Sequence, residues 1–90
     1  MRQPEYSGQF KREVKPAQKR GKDMDKLKRL IGLLIAGEPL PAGYLDHPLK
    51  GNWRGYRDAH IEPDWLLIDQ VTDQTVRFER RGRHSDLFES

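Results

Sequence analysis

The chain has 90 residues, of which 34% are apolar and 34% charged, with a net charge of +3 and no cysteine. That length allows one small domain, spanning residues 1–90. No apolar run approaches the roughly 18 residues of a membrane-spanning helix, and the missing cysteines exclude disulfides, thiolate zinc sites and cysteine nucleophiles together. A cytoplasmic chain without membrane contact is the default expectation.

The charge is unevenly spread. Residues 1–30 carry ten Lys/Arg against four acids, residues 31–60 balance, and residues 61–90 are net negative. Lys11, Arg12, Lys15, Lys19, Arg20, Lys22, Lys26, Lys28 and Arg29 form one basic stretch. Such a stretch fits a polyanion partner, or equally a solvated helical face.

In chain order, Arg2 to Tyr6 can form a short strand. Ser7 can cap a helix through about Arg20, with Phe10, Val14 and Ala17 on one face and Gly21 past its end. Pro16 lies inside it and predicts a kink, because it removes a hydrogen bond and crowds the Arg12 carbonyl. Asp23 or Asp25 can cap a second helix. Leu27, Leu30, Ile31, Leu34 and Ile35 follow the helical period, and Gly37 and Pro39 end it. The segment 52–61 reads as a strand, Pro63-Asp64 as a turn, and Trp65 to Ile68 as a buried central strand. Thr75 to Arg80 alternates, with Val76 and Phe78 facing one way, and a C-terminal turn is expected near Ser85 to Phe88. The predicted class is α+β: an N-terminal strand and a helical hairpin packed on an antiparallel β-sheet. Trp53 and Trp65 fit the core better than a base-stacking surface.

Each of the three histidines stands beside or near an acid: Asp46-His47, Asp58-Ala59-His60 and His84-Ser85-Asp86. They are the groups able to move protons near neutral pH. Alternation places Tyr56, Asp58 and His60 on one face of their strand, opposite Arg57, Ala59 and Ile61. Arg57 then needs a carboxylate partner or a sheet edge. Were the histidines to meet, they would suit metal-free phosphodiester cleavage in RNA, with one base, one acid and cations for the phosphorane. A His/Asp metal site is the rival, but the Asp58-Ala59-His60 spacing matches no standard metal motif, so neither metal nor cofactor is expected.

The chain resembles the YafQ toxins of the RelE superfamily, in bacterial type II toxin–antitoxin systems. The resemblance rests on Glu5-Tyr6-Ser7-Gly8-Gln9, Ala17-Gln18-Lys19-Arg20, Lys22-Asp23-Met24 and Asp46-His47-Pro48-Leu49. It continues through Gly55-Tyr56-Arg57-Asp58-Ala59-His60, Glu62-Pro63-Asp64-Trp65, Arg77-Phe78-Glu79-Arg80, Gly82-Arg83-His84 and Leu87-Phe88. It implies a RelE-like, microbial-ribonuclease-like fold and a ribosome-dependent endoribonuclease that cuts mRNA in the A site of the 70S ribosome. It also implies neutralisation by a DinJ-like antitoxin, and operator DNA binding only through the toxin–antitoxin complex. The family's functional positions fall on His47, Asp58, His60, Asp64, His84 and Phe88. His84 is the candidate acid, His47 or His60 the candidate base, and Asp64 a support for a histidine. Phe88 would position the mRNA, and Arg57, Arg83 and Lys50 are further candidate substrate contacts.

Two departures stand out. Asp69 occupies a position where the family usually carries Tyr, on the strand face of Trp65 and Leu67; a buried carboxylate there needs a partner. Arg81 and Arg83 replace small hydroxyl residues, and Arg83 adds a cation beside His84, which favours neutral imidazole or a phosphate contact. The alternatives to the ribonuclease are a catalytically weakened variant, a non-catalytic ParE-like binder with no use for the histidines, or a chain that chiefly binds antitoxin and operator.

Overall fold

The computed structural model describes residues 1–83 and Leu87. Strand β1 (Gln3–Tyr6) leads into helix α1 (Gly8–Lys19), then α2 (Met24–Ala36). Strands β2 (His47–Pro48), β3 (Arg57–Glu62), β4 (Trp65–Val71) and β5 (Thr75–Gly82) follow. Two single turns of 3₁₀ helix, Ala42–Tyr44 and Gly51–Trp53, flank β2.

Helix α1 begins where Ser7 caps it: the Ser7 Oγ accepts the Phe10 N–H at 2.9 Å and donates to the Glu79 carbonyl at 2.5 Å. Pro16 does not end α1, and the helix runs through it. The residue sits in the last turn, where it removes one amide hydrogen bond, and the helix continues past it to Lys19. Asp23 caps α2 through the Asp25 N–H, and Gly37 closes it at φ 75°, a left-handed conformation that glycine adopts without strain.

The sheet order is β1-β5-β4-β3-β2. β2 to β5 form an antiparallel meander, whereas β1 pairs parallel to β5, with Tyr6 opposite Phe78, so the sheet is mixed rather than wholly antiparallel. The helices cover one face. Phe10, Ala17, Leu27, Leu30 and Leu34 meet Ala59, Ile61, Trp65, Leu67, Val76 and Phe78 in the main core. Trp65 is fully buried there, as expected for a core tryptophan. On the other face Leu66, Ile68 and Leu87 form a smaller cluster, with Leu49, Trp53 and Tyr56 packed against it. Trp53 and Tyr56 meet edge to face at 5.4 Å. α1 is also tied to β5 by Glu13, which accepts from Arg80 at 2.7 Å and whose carbonyl accepts from Arg81. Lys22 and Lys26 reach Glu62 at 3.4 and 3.1 Å, linking α2 and its entry to the end of β3.

Candidate active site at the β2–β3 edge

The second face of the sheet carries the site. In the ladder, His47 of β2 lies opposite Asp58 of β3, and His60 follows two residues later on the same face. The two imidazole rings lie 6.5 Å apart, centroid to centroid. Asp58 is 3% exposed, whereas the His47 side chain is half exposed. The arrangement is therefore a buried carboxylate behind an accessible imidazole.

His47 Nδ1 is 2.8 Å from the Leu45 carbonyl oxygen and 2.9 Å from Asp58 Oδ1. Only the carbonyl contact has hydrogen-bond geometry, so the Nδ1–H donates to Leu45 and the Asp58 contact is electrostatic. A carbonyl can only accept, so Nδ1 carries a proton, and in the neutral ring the lone pair is then on Nε2. His60 is held in the same tautomer, its Nδ1 3.3 Å from the Pro63 carbonyl. In this orientation both rings hold Nδ1 against a backbone carbonyl and leave Nε2 as the atom available for proton transfer. Leu45 is the one non-glycine residue with positive φ (50°) among the described residues. Strain of this kind persists where the surroundings fix it, and it aims the carbonyl that holds His47.

Asp64 accepts from Arg83 Nε at 2.9 Å, and both side chains are exposed. Lys50 is exposed at the turn after β2. Arg57 does not join the histidines. Its guanidinium forks onto Asp46 on the helix-covered side, with Nε 3.2 Å and Nη2 3.0 Å from Oδ2, which supplies the carboxylate partner its position demanded. His84 and Phe88 lie outside the described residues. A cavity of about 280 Å³ opens beside His60, bordered by Gly43, Leu45 and Pro63. A larger one, about 420 Å³ beside α2 and Tyr44, holds no histidine and lies away from the site. Among the described residues no three His, Asp or Glu side chains cluster as metal ligands would.

Asp69 is fully buried on the helix-covered face, opposite Arg57 in one ladder and Phe78 in the other. Neither carboxylate oxygen accepts a hydrogen bond among the described residues. Burial, and then the nearby Asp46 carboxylate, push its pKa up to about 7.

A family model for the bacterial toxin YafQ of type II toxin–antitoxin systems matches residues 2–89. The chain belongs to the YafQ toxin family. It is 64% identical over 85 residues to the mRNA interferase toxin YafQ of Escherichia coli K12, covering 93% of this chain and 92% of that one. The crystal structure of YafQ from E. coli BL21(DE3) superposes with a TM-score of 0.93 at 61% identity, covering 98% of this chain and 99% of the other. YafQ in the E. coli DinJ–YafQ toxin–antitoxin complex superposes with a TM-score of 0.91 at 62% identity, over 97% of each chain. The two helices on a five-stranded sheet are thus the YafQ fold.

Sequence reasoning missed two parts of the site. β2 is too short to show a period. The left-handed Leu45 carries no local signal, because leucine is an unusual residue for that conformation.

Proposed function

We propose that this chain is a ribosome-dependent endoribonuclease that cuts mRNA in the ribosomal A site by acid–base catalysis without a metal, halting translation. The observation that carries the proposal is the His47–Asp58 pair with His60 beside it. The YafQ relatives named as mRNA interferases support the substrate class.

In this reading His47 Nε2 removes the proton of a ribose 2′-hydroxyl. The 2′-oxygen attacks phosphorus, the bond to the 5′-oxygen breaks, and a protonated histidine returns a proton to that oxygen. The products are a 2′,3′-cyclic phosphate and a 5′-hydroxyl. Asp58 holds the His47 ring and offsets the charge it gains, as a buried carboxylate does behind a catalytic imidazole. His60 shares the proton traffic, and His84 is the acid at the leaving oxygen. Asp64 supports a histidine, Arg83 and Lys50 supply positive potential for the phosphate, and Phe88 helps position the mRNA. The basic surface of α1 and α2 holds ribosomal RNA. A DinJ-like antitoxin neutralises the chain in the cytoplasm, and the resulting complex binds operator DNA. The DinJ–YafQ assembly of E. coli supports that partner.

End-group analysis of mRNA incubated with the purified chain, with and without 70S ribosomes, tests this reading. Cyclic phosphate and 5′-hydroxyl ends formed only with ribosomes are expected. Cleavage of free mRNA at the same rate, or 5′-phosphate ends, would sink it.

A further inference from the structure

The ladder that presents His47 is short. β2 contributes two residues, paired as His47 with Asp58 and Pro48 with Arg57. Pro48 has no N–H to give, so backbone bonding alone holds this edge weakly. Two contacts reinforce it. The Leu49 N–H reaches the Tyr56 carbonyl at 2.9 Å, and Arg57 forks onto Asp46 at 3.0 to 3.3 Å. Asp46 directly follows the strained Leu45, whose carbonyl receives the His47 proton, and directly precedes His47 itself. The ion pair therefore anchors the residue between Leu45 and His47, in the segment that orients the imidazole.

Asp69 stands on the same face. It is Arg57's register partner in β4, and its carboxylate is fully buried without a hydrogen-bond donor among the described residues. Arg57, Asp46 and Asp69 line one cavity of about 290 Å³, with Arg2, Leu34 and Val71. The Arg2 guanidinium is already committed to the Leu34 and Thr72 carbonyls at 2.8 and 3.2 Å. The charged groups around Asp69 are thus Asp46 from the loop before β2, Arg57 and Asp58 from β3, Arg2 beside β1, and Glu38, which borders the cavity after α2. The facing residues of α2 and β5, Leu34 and Phe78, are apolar. Of the two arginines, Arg57 is the one tied by a side-chain acceptor rather than by backbone carbonyls.

We propose that Asp46 and Arg57 are positioning residues that hold His47 Nδ1 against Leu45 and Asp58, and that ionised Asp69 competes with Asp46 for Arg57. The pair touches no substrate and acts through His47. The inference rests on the catalytic reading of His47. It gives this chain a control on the reverse side of the sheet from the chemistry. Ionisation of Asp69 draws Arg57 inward, frees Asp46, and loosens the His47 segment. Cleavage then declines on the alkaline side for a reason unrelated to imidazole titration.

Two readouts on the purified chain test this: ¹⁵N NMR of the His47 ring, which needs no ribosome, and single-turnover cleavage of ribosome-bound mRNA. Asp46→Asn is expected to erase the Nδ1-protonated signature of His47 and to slow cleavage about 100-fold, the scale of a misplaced catalytic group, with ribosome affinity unchanged. Asp46→Glu restores most of both. Asp69→Asn flattens the loss of signature and rate between pH 7 and 9. A His47 signature unchanged in Asp46→Asn overturns the positioning role, and identical pH profiles for wild type and Asp69→Asn overturn the competition. A signature that responds as expected while His47→Ala still cleaves at the wild-type rate overturns the catalytic reading instead and leaves the positioning geometry standing.

Discussion

Asp69 concentrates the residue-scale physics. A buried acid whose pKa rises from 3.8 to about 7 binds a proton in the folded state where the unfolded chain has lost it. Stability therefore falls as pH rises through that window and is flat above it. Asp69→Asn removes the dependence. Its gain over the wild type is expected to grow from pH 5 to pH 8 by about 2–4 kcal/mol, read from urea melts at both pH values. Equal gains at both would show that Asp69 keeps its ordinary carboxylate pKa. The histidines illustrate what single residues reveal. Their adjacency to acids was legible, but the His47–Asp58 contact joins residues eleven apart and depends on the pairing of β2 with β3. The tautomers were not, because they depend on the carbonyls of Leu45 and Pro63, which only a folded backbone brings to the rings.

At the scale of elements, the helices were read closely. Ser7, Asp23 and Gly37 are capping residues at the positions capping requires, and both apolar faces keep the helical period. Ser7 does more than cap, since its hydroxyl also bonds β5. Ser7→Ala is expected to cost about 1–2 kcal/mol in chemical denaturation; no change would mean that water replaces both contacts. Leu30, fully buried between the helices and the sheet, should cost about 2–5 kcal/mol on truncation to alanine. The strands were read less well. The parallel pairing of β1 with β5 is a long-range choice that no local pattern encodes. The segment 52–56 is a 3₁₀ turn and loop rather than strand, because Gly51 and Gly55 both adopt positive φ there. Arg57 was correctly expected to need a carboxylate, but its partner Asp46 could be named only once β2 was seen beside β3.

Across the whole molecule, charge separates from catalysis. Lys11, Arg12, Lys15, Lys19, Arg20, Lys28 and Arg29 are exposed on the two helices, on the side of the sheet away from His47 and His60. Lys22 and Lys26 are partly occupied by Glu62, which their ammonium groups hold below its ordinary pKa. If this surface grips ribosomal RNA through six or more phosphates, ribosome affinity should fall about 1,000-fold between 50 and 200 mM salt. A flat salt response would return the stretch to a solvated helical face. None of the described helices is long and apolar enough to cross a membrane.

The central claim is that the β2–β3 edge cuts RNA, and primer extension on ribosome-bound mRNA measures it most directly. The wild-type chain should yield truncated products at A-site codons, and His47→Ala and Asp58→Asn, both still folded by circular dichroism, should reduce them at least about 100-fold. Undiminished cleavage by folded His47→Ala would contradict the account.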